Sequence, residues 1–133
     1  MKAEQEIEIF LTEWKQSGQS SSLWFERFFS MLKDDAEVEL SFVSRPGVSF
    51  SMRPKKRGQE RALFAIIDVI DDDPTDRWLS VCFYEDMISD PEESGQVVPG
   101  GLGGENGYCF DIFDEDMLAY VLARVSEARS RAI

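Results

Sequence analysis

Apolar residues recur near the start of the chain at the spacing of two amphipathic helices. Within residues 3–16, four large apolar side chains stand at positions i, i+3, i+4 and i+7, which places them on one face of a helix. They are Ile7, Phe10, Leu11 and Trp14. Residues 22–33 form a second apolar segment, rich in Phe and wider than a single stripe. We therefore predict two helices, with Gly18 ending the first and a serine capping the second.

A period of two replaces the helical spacing after residue 37. Apolar residues alternate with polar ones over residues 38–42 and again over residues 48–53, on either side of a turn at residues 44–47. The turn contains Pro46 and Gly47 in positions that suit it. This pattern is typical of an antiparallel hairpin with one solvated face.

The most apolar part of the chain is a pair of runs at residues 61–70 and 77–84, joined by the acidic turn 71–76. The first run is almost continuously apolar and rich in β-branched residues, and the second alternates more cleanly. We interpret the pair as a long β-hairpin at the centre of the sheet. Neither of its faces is strongly polar, so both faces are expected to be at least partly dry.

The last third of the chain predicts one further strand and one further helix. Residues 108–113 alternate as a fifth strand, and Asp114 stands where it can cap a helix over residues 115–130. Before this strand, residues 85–89 suit one helical turn, and residues 90–107 are irregular and rich in glycine. A structureless segment of that length in a small domain is usually functional or mobile.

Together these segments predict a single α+β domain over residues 1–133, with the order α-α-β-β-β-β-loop-β-α. Residues 1–20 supply the N-terminal helix and a Ser-rich linker, and residues 21–133 supply the α+β core. We expect a curved, five-stranded antiparallel sheet with helices packed on one face. The opposite face is then solvated, or covered by a second subunit or by the glycine-rich segment 90–107.

The acidic balance of charge and the absence of histidine exclude several functions. The chain has 26 acidic and 14 basic residues and a net charge of −12, which would repel nucleic acid and an anionic membrane surface. Without histidine, it lacks the usual general base near neutral pH and every His-containing metal site. The acidic turn 71–76 also lacks the EF-hand spacing. We therefore expect no metal, no cofactor, no nucleic-acid partner and no membrane contact.

The two cysteines and the N-terminal residues bear on where the protein resides. Cys82 and Cys109 fall in predicted strands, which favours two buried, reduced thiols, although pairing of the fourth and fifth strands would bring them close. Residues 1–8 carry acids where a signal peptide needs an apolar segment. No run approaches the roughly 18 apolar residues of a membrane span. We expect a cytoplasmic protein.

Two loops and one acid carry candidate chemistry. Residues 53–61 hold five of the fourteen basic residues, which suits either an anion site or a solvated loop that neutralises nearby acids. Residues 97–104 contain four glycines but lack the lysine and the following helix of a phosphate-binding loop. Asp68 interrupts the central apolar run, and either a surface position or a pairing with Arg53 or Arg77 would accommodate its charge.

Several segments follow one another in an order found in a known family. An aromatic helix end at residues 25–32 leads into an acidic turn and the strand 38–42, and apolar strands follow as far as Asp90-Pro91. A glycine-bearing loop and a closing helix with Ala128 in its tail complete the pattern over roughly residues 24–130. In this order the chain resembles the DUF5655 type of small domain, related in pattern to the YdhG-like (DUF1801) domains. The resemblance implies a curved antiparallel sheet packed by helices, and it implies no reaction and no catalytic residue.

The sequence favours a non-catalytic binding or protein-interaction module over an enzyme. The aromatic surplus of the second helix and the apolar alternates of the fourth strand suggest self-association or a protein partner. The alternative is a small-ligand or enzymatic site under the glycine-rich segment 90–107. Its candidate residues are Asp68, Tyr84, Glu85 and Tyr108.

Overall fold

A computed structural model describes all 133 residues as three helices packed on one antiparallel sheet. The helices are α1 (Ala3–Lys15), α2 (Ser20–Lys33) and α3 (Glu115–Arg131). The strands are β1 (Val38–Arg45), β2 (Ser49–Lys56), β3 (Ile66–Ile70), β4 (Trp78–Phe83), β5 (Gln96–Val98) and β6 (Gly107–Ile112). Their order across the sheet is β1-β2-β3-β4-β6-β5, and every neighbouring pair is antiparallel. The predicted α+β class and antiparallel sheet are confirmed.

The sheet has six strands, so the prediction of five is wrong. The additional strand, β5, lies inside the segment 90–107 that was expected to be irregular, and it pairs with β6 from Gln96 opposite Cys109 to Val98 opposite Gly107. It is only three residues long and is followed at once by Pro99. A strand this short shows no alternation that a sequence pattern can reveal.

The helix ends follow the predicted signals at two places and depart from them at a third. Asp114 caps α3 by accepting a 2.8 Å hydrogen bond from the Met117 backbone N–H. Gly18, with φ of 75°, follows α1 in the left-handed conformation that glycine adopts freely. The residue before α2 is Gln19, whose side chain makes no cap hydrogen bond, so the expected serine cap is wrong.

The central hairpin is shorter than the sequence predicts. Strand β3 begins at Ile66, whereas a strand was expected from residue 61. The preceding residues 61–65 form no regular structure, yet Phe64 and Ala65 are fully buried. Phe64 donates its backbone N–H to the Pro54 carbonyl at 2.9 Å. The apolar run therefore reflects burial, and only its second half is a strand. The single 3₁₀ turn Glu85–Met87 lies where one helical turn was predicted.

One face of the sheet forms the core beneath the helices. Strand register places apolar side chains of the central strands on this face, and all are at most 8 % exposed. They are Phe50, Met52, Ile67, Val69, Leu79, Val81, Phe110 and Ile112. Fully buried residues of the helices, such as Ile7, Phe25 and Val121, belong to the same cluster. None of the helices has both the length and the apolar character needed to cross a membrane.

The opposite face of the sheet is partly dry, as the central hairpin predicts. Ser51, Ile66 and Cys82 lie on it and are at most 4 % exposed. The glycine-rich segment covers one end, where Leu102 is buried. At the other end Phe113 is 65 % exposed and stacks on Trp78 with ring centroids 5.4 Å apart.

Candidate functional site

A cleft of about 690 Å³ opens between α1 and the hairpin of β1 and β2. Phe10 and Trp14 line it from α1, and Phe42 and Phe50 line it from the hairpin. The ring centroid of Phe10 lies 4.3 Å from that of Phe50 and 5.8 Å from that of Phe42. We call these four residues together with Arg77 the aromatic cleft. Its volume falls within the usual range for ligand sites, roughly 300–1,000 Å³.

The local sequence accounts for the two walls of the aromatic cleft. Phe10 and Trp14 stand at i and i+4 on α1, so they are one turn apart on the same face. On the hairpin, Ser44 lies opposite Phe50, which makes Phe42 and Phe50 diagonal neighbours with ring centroids 6.4 Å apart. The turn between these strands has Gly47 at φ 83° after Pro46, which suits a type II turn.

Arg77 forms the floor of the aromatic cleft. The carbon of its guanidinium lies 5.3 Å from the ring centroids of both Phe10 and Phe50. Its Nε donates a 2.7 Å hydrogen bond to Asp71, which is 3 % exposed and also accepts the Gly47 backbone N–H at 2.8 Å. Charge-assisted hydrogen bonds and ring contacts of this kind restrict a long side chain to one position. The cleft is therefore pre-formed.

Gln19 joins the two ends of the aromatic cleft. Its Oε1 accepts hydrogen bonds from the Trp14 indole N–H at 3.3 Å and from the Arg77 backbone N–H at 2.9 Å. Its Nε2 donates to the Pro74 carbonyl at 3.0 Å. This one amide ties α1 to the turn before β4, which is why its side chain is not available to cap α2.

The rim of the aromatic cleft is acidic. Helix α1 carries four glutamates, and none of them forms an ion pair. They are Glu4, Glu6, Glu8 and Glu13. Glu6 and Glu13 line the cleft itself, and Ile9, which is 51 % exposed, stands between them. The walls are aromatic, the charge of Arg77 on the floor is paired with Asp71, and the two glutamates on the edge are unpaired, which would suit a ligand with apolar and cationic groups.

No acid and base side chains meet in the aromatic cleft. Its lining contains no histidine, cysteine or lysine, and its two acids stand almost two helical turns apart on α1. General acid–base catalysis needs groups that reach the same reacting atom. The sequence pattern placed Phe10 and Trp14 on the apolar face of a helix, and Ile9, an apolar residue outside that stripe and among four glutamates, is the sequence signal that could have found this site.

Asp90 organises a second cluster of polar groups, at the start of the glycine-rich segment. Its carboxylate accepts hydrogen bonds from the hydroxyls of Tyr108 and Tyr120 and from the backbone N–H groups of Ser94 and Gly95. Burial opposes the charged form, but these bonds outweigh it and lower the pKa of Asp90 to about 2. The hydrogen bond to Asp90 raises the pKa of Tyr108 to about 12. This cluster attaches the segment to β6 and α3.

Cys82 and Cys109 form a disulfide, so the expectation of reduced thiols is wrong. The two residues lie directly opposite each other on β4 and β6, and each is 4 % exposed, as the prediction of burial requires. A Cβ on Gly101 or on Gly107 would lie 3.1 Å from the Cys109 sulfur. These two glycines therefore let the segment 90–107 pass close over the disulfide.

The four residues of the predicted ligand site do not meet in one cleft. Asp68 lies opposite Ser80 on the face away from the helices, whereas Tyr108 lies opposite Phe83 on the helix-covered face, so the sheet separates them. Tyr84 is 8 % exposed, and its ring packs against the guanidinium of Arg61 at 4.1 Å. Glu85 is exposed at the start of the 3₁₀ turn.

Asp68 is half-buried among polar partners on the open face of the sheet. Its carboxylate accepts a hydrogen bond from the Ser51 hydroxyl, which is fully buried. Burial raises the pKa of Asp68, and the Ser51 bond and the positive charges of Arg53 and Arg45 act against that shift. Arg77, one of the two predicted ion-pair partners, instead pairs with Asp71.

The basic segment extends a strand and makes contacts within the chain. Pro54, Lys55 and Lys56 continue β2, and the Lys56 ammonium lies 3.5 Å from the Ala132 carbonyl. Arg57 lies 3.8 Å from Glu39, with both side chains largely exposed. The Arg61 guanidinium forms two hydrogen bonds to Asp86. These contacts agree with a segment that neutralises nearby acids.

Comparison with known proteins identifies no relative. No family model matches the chain, and neither a curated protein nor a solved structure is similar to it. The resemblance to the DUF5655 type stays a prediction.

Proposed function

We propose that this chain is a non-catalytic protein-interaction module that binds a basic, apolar segment of another protein in the aromatic cleft. The observation that carries the proposal is the combination of pre-formed aromatic walls with an acidic rim that has no partner within the chain. Asp71 offsets the charge of Arg77, so the unpaired side-chain charges of the lining are both negative and attract ligands of the opposite sign. Apolar side chains of the partner would contact Phe10 and Phe42, and its Lys or Arg residues would approach Glu6 and Glu13.

A matched pair of peptides tests the chemistry of the partner. The probe is a fluorescein-labelled peptide of twelve residues composed of Leu, Phe and Lys, and its control has Glu in place of each Lys. We expect saturable binding of the Lys peptide, measured by fluorescence anisotropy, and none of the Glu peptide. The affinity should fall as salt is raised, because the rim charges are exposed and screened.

Protein variants locate the binding to the aromatic cleft. Phe42→Ala should weaken binding of the Lys peptide at least tenfold, and Glu6→Gln/Glu13→Gln should weaken it several-fold. The control Glu92→Gln/Glu93→Gln removes the same charge from exposed residues outside the cleft. If this control weakens binding as much as the rim variant does, the peptide senses only net charge and the proposal fails. Equal binding by the wild type and Phe42→Ala would also contradict it.

A further inference from the structure

The outer edge of β1 is an unusually open part of the sheet. β1 is the first strand in the order and is eight residues long, whereas β5 at the other edge has three. Its pairing with β2 runs without a bulge over all eight residues, and it contains neither proline nor lysine. Proteins usually block a long edge strand with such features, because its free backbone groups pair with other strands.

The hydrogen-bond pattern identifies which backbone groups are free. The Glu37 carbonyl accepts the Arg57 N–H at 2.8 Å, and the register continues from this pair along β1. Backbone groups that point toward and away from the neighbouring strand alternate in an antiparallel ladder. The backbone N–H and C=O of the even-numbered residues of β1 therefore point away from β2. No loop or side chain bonds the backbone N–H or C=O of Leu40, Phe42 or Ser44.

We propose that β1 pairs with β1 of a second copy of this chain, antiparallel and centred on Phe42, to form one continuous sheet of twelve strands. In this register Leu40 faces Ser44 of the partner subunit, and three outward residues of each copy exchange six backbone hydrogen bonds. The proposal concerns the edge of the sheet and does not depend on what the aromatic cleft binds.

The charges of Glu39 and Arg45, on the sheet face away from the helices, favour a second copy of this chain as the partner and favour this register. Centring on Phe42 sets Glu39 directly opposite Arg45 of the partner subunit, at the closely spaced positions of the ladder. The two-fold axis creates this pair twice. Arg45 forms no ion pair within its own chain and only its charge acts on Asp68, and Glu39 has only the exposed Arg57 at 3.8 Å. Shifting the register by one residue either way would lose the pair, and Glu37, the next acid along, is already bound to Arg129 at 2.6 Å.

Charge reversal tests the interface on the whole chain. Sedimentation velocity over a dilution series from about 1 to 500 μM, at physiological salt, should show a concentration-dependent dimer of the wild type. Glu39→Arg and Arg45→Glu should each weaken dimerisation at least tenfold, because each creates two like-charge pairs. The double variant Glu39→Arg/Arg45→Glu restores opposite charges and should dimerise within about threefold of the wild type. Glu92→Arg serves as a control for net charge and should not weaken it.

A second variant tests whether the free backbone groups of β1 form the interface. Ser44→Pro removes an N–H that has no partner within the subunit, so the fold should persist by circular dichroism while two of the six interface bonds are lost. A wild-type chain that is monomeric at 500 μM would overturn the proposal, and so would a double variant no better than the single ones. Capture of an extended peptide by a monomeric chain, with slowed amide exchange at Leu40 and Phe42, would replace the second copy by a foreign strand and overturn it as well.

Discussion

The Tyr108 hydroxyl donates a 2.6 Å hydrogen bond to Asp90, and this contact connects β6 to the first residue of the glycine-rich segment, eighteen positions earlier in the chain. Tyr120 of α3 bonds the same carboxylate. One ionised aspartate therefore joins the start of the segment to both β6 and α3.

Lowering the pH should destabilise the fold by protonating Asp90. Its folded pKa of about 2 lies below its ordinary value of 3.8, so folding favours the charged form. The stabilisation is complete above about pH 5 and is lost as the pH falls through about 2. We expect Asp90→Asn to lower the free energy of unfolding at pH 7 by about 1–3 kcal/mol, since donors lose a charged acceptor. Urea unfolding at pH 7, 5, 3 and 2 measures this.

The difference between Asp90→Asn and the wild type should shrink as the pH falls from 5 to 2. Asp72→Asn provides the control, because Asp72 is exposed and makes no hydrogen bond or ion pair through its side chain. A constant difference between Asp90→Asn and the wild type across this pH range would contradict the role assigned to the carboxylate.

All three tyrosines have a pKa above the ordinary value for tyrosine, so they should stay neutral as the pH rises through 10. The hydrogen bond to Asp90 raises the pKa of Tyr108 to about 12, and burial raises the pKa of Tyr84 and of Tyr120. The stability contributed by neutral Tyr108 is present below pH 10 and is lost as the pH rises through about 12. Absorbance at 295 nm should stay nearly flat through pH 10 in the folded protein. An increase in absorbance equal to the ionisation of one tyrosine near pH 10 would contradict the environment described for one of the three.

Gly95 should not accept a side chain. An added Cβ would lie 2.5 Å from the Tyr108 ring and 2.9 Å from the Phe110 ring. We expect Gly95→Ala to lower the free energy of unfolding by about 1–3 kcal/mol, because packed rings must move. Phe110→Leu destabilises the core on its own, but it also makes room beside Gly95, so its cost should be smaller in the Gly95→Ala background than in the wild type, and thermal or urea unfolding measures both.

The matched control for Gly95→Ala is Gly18→Ala. No atom lies within 4 Å of a Cβ at Gly18, so that variant meets only the cost of a positive φ, about 1 kcal/mol. If the cost of Phe110→Leu is no smaller in the Gly95→Ala background than in the Gly18→Ala background, the steric explanation fails.

The disulfide should resist alkylation and should stabilise the fold. Iodoacetamide should add no mass to the native protein and should add two groups after reduction in urea. The crosslink spans 27 residues, for which the chain-entropy model gives about 3–4 kcal/mol. Cys82→Ala/Cys109→Ala should lower the free energy of unfolding by about that amount and should be insensitive to dithiothreitol. Labelling of two thiols without reduction would contradict the crosslink.

The disulfide also bears on where the protein resides. Disulfides persist in oxidising compartments and are rare where thiols are kept reduced. A crosslink between Cys82 and Cys109 in cells would therefore contradict the expectation of a cytoplasmic protein. Trapping thiols with N-ethylmaleimide at lysis measures the thiol state in cells.

Short-range patterns predicted the helices because each pattern repeats within a few residues. Ile7, Phe10, Leu11 and Trp14 need only the period of a helix to share a face, and Asp114 needs only the next turn to form a cap. The hairpins were predicted for the same reason, and the bounds of their strands were taken from the alternation of apolar and polar residues. Residues 61–65 were misassigned because burial in an irregular segment gives the same apolar run as a central strand.

Features that depend on register were not predictable from the sequence. Cys82 meets Cys109 only because β4 and β6 pair in one alignment, and no local pattern encodes that alignment. The same limit applies to the Asp90 cluster, whose tyrosines come from β6 and α3. Only the bonds of Asp90 to Ser94 and Gly95 are local, and an aspartate at the start of an Asp-Pro-Glu-Glu-Ser-Gly turn is a signal that could have indicated them, since Asp side chains often bond nearby N–H groups in turns.

The unequal edges of the sheet determine how far assembly can proceed. An edge of three residues offers too little backbone to recruit a neighbour, while the edge of eight residues can be used once by a pairing that has two-fold symmetry. When both copies have used their long edge, only short ends face the solvent. The particle would be closed at two subunits, and a protein with an unguarded strand would be protected from growing into a fibre.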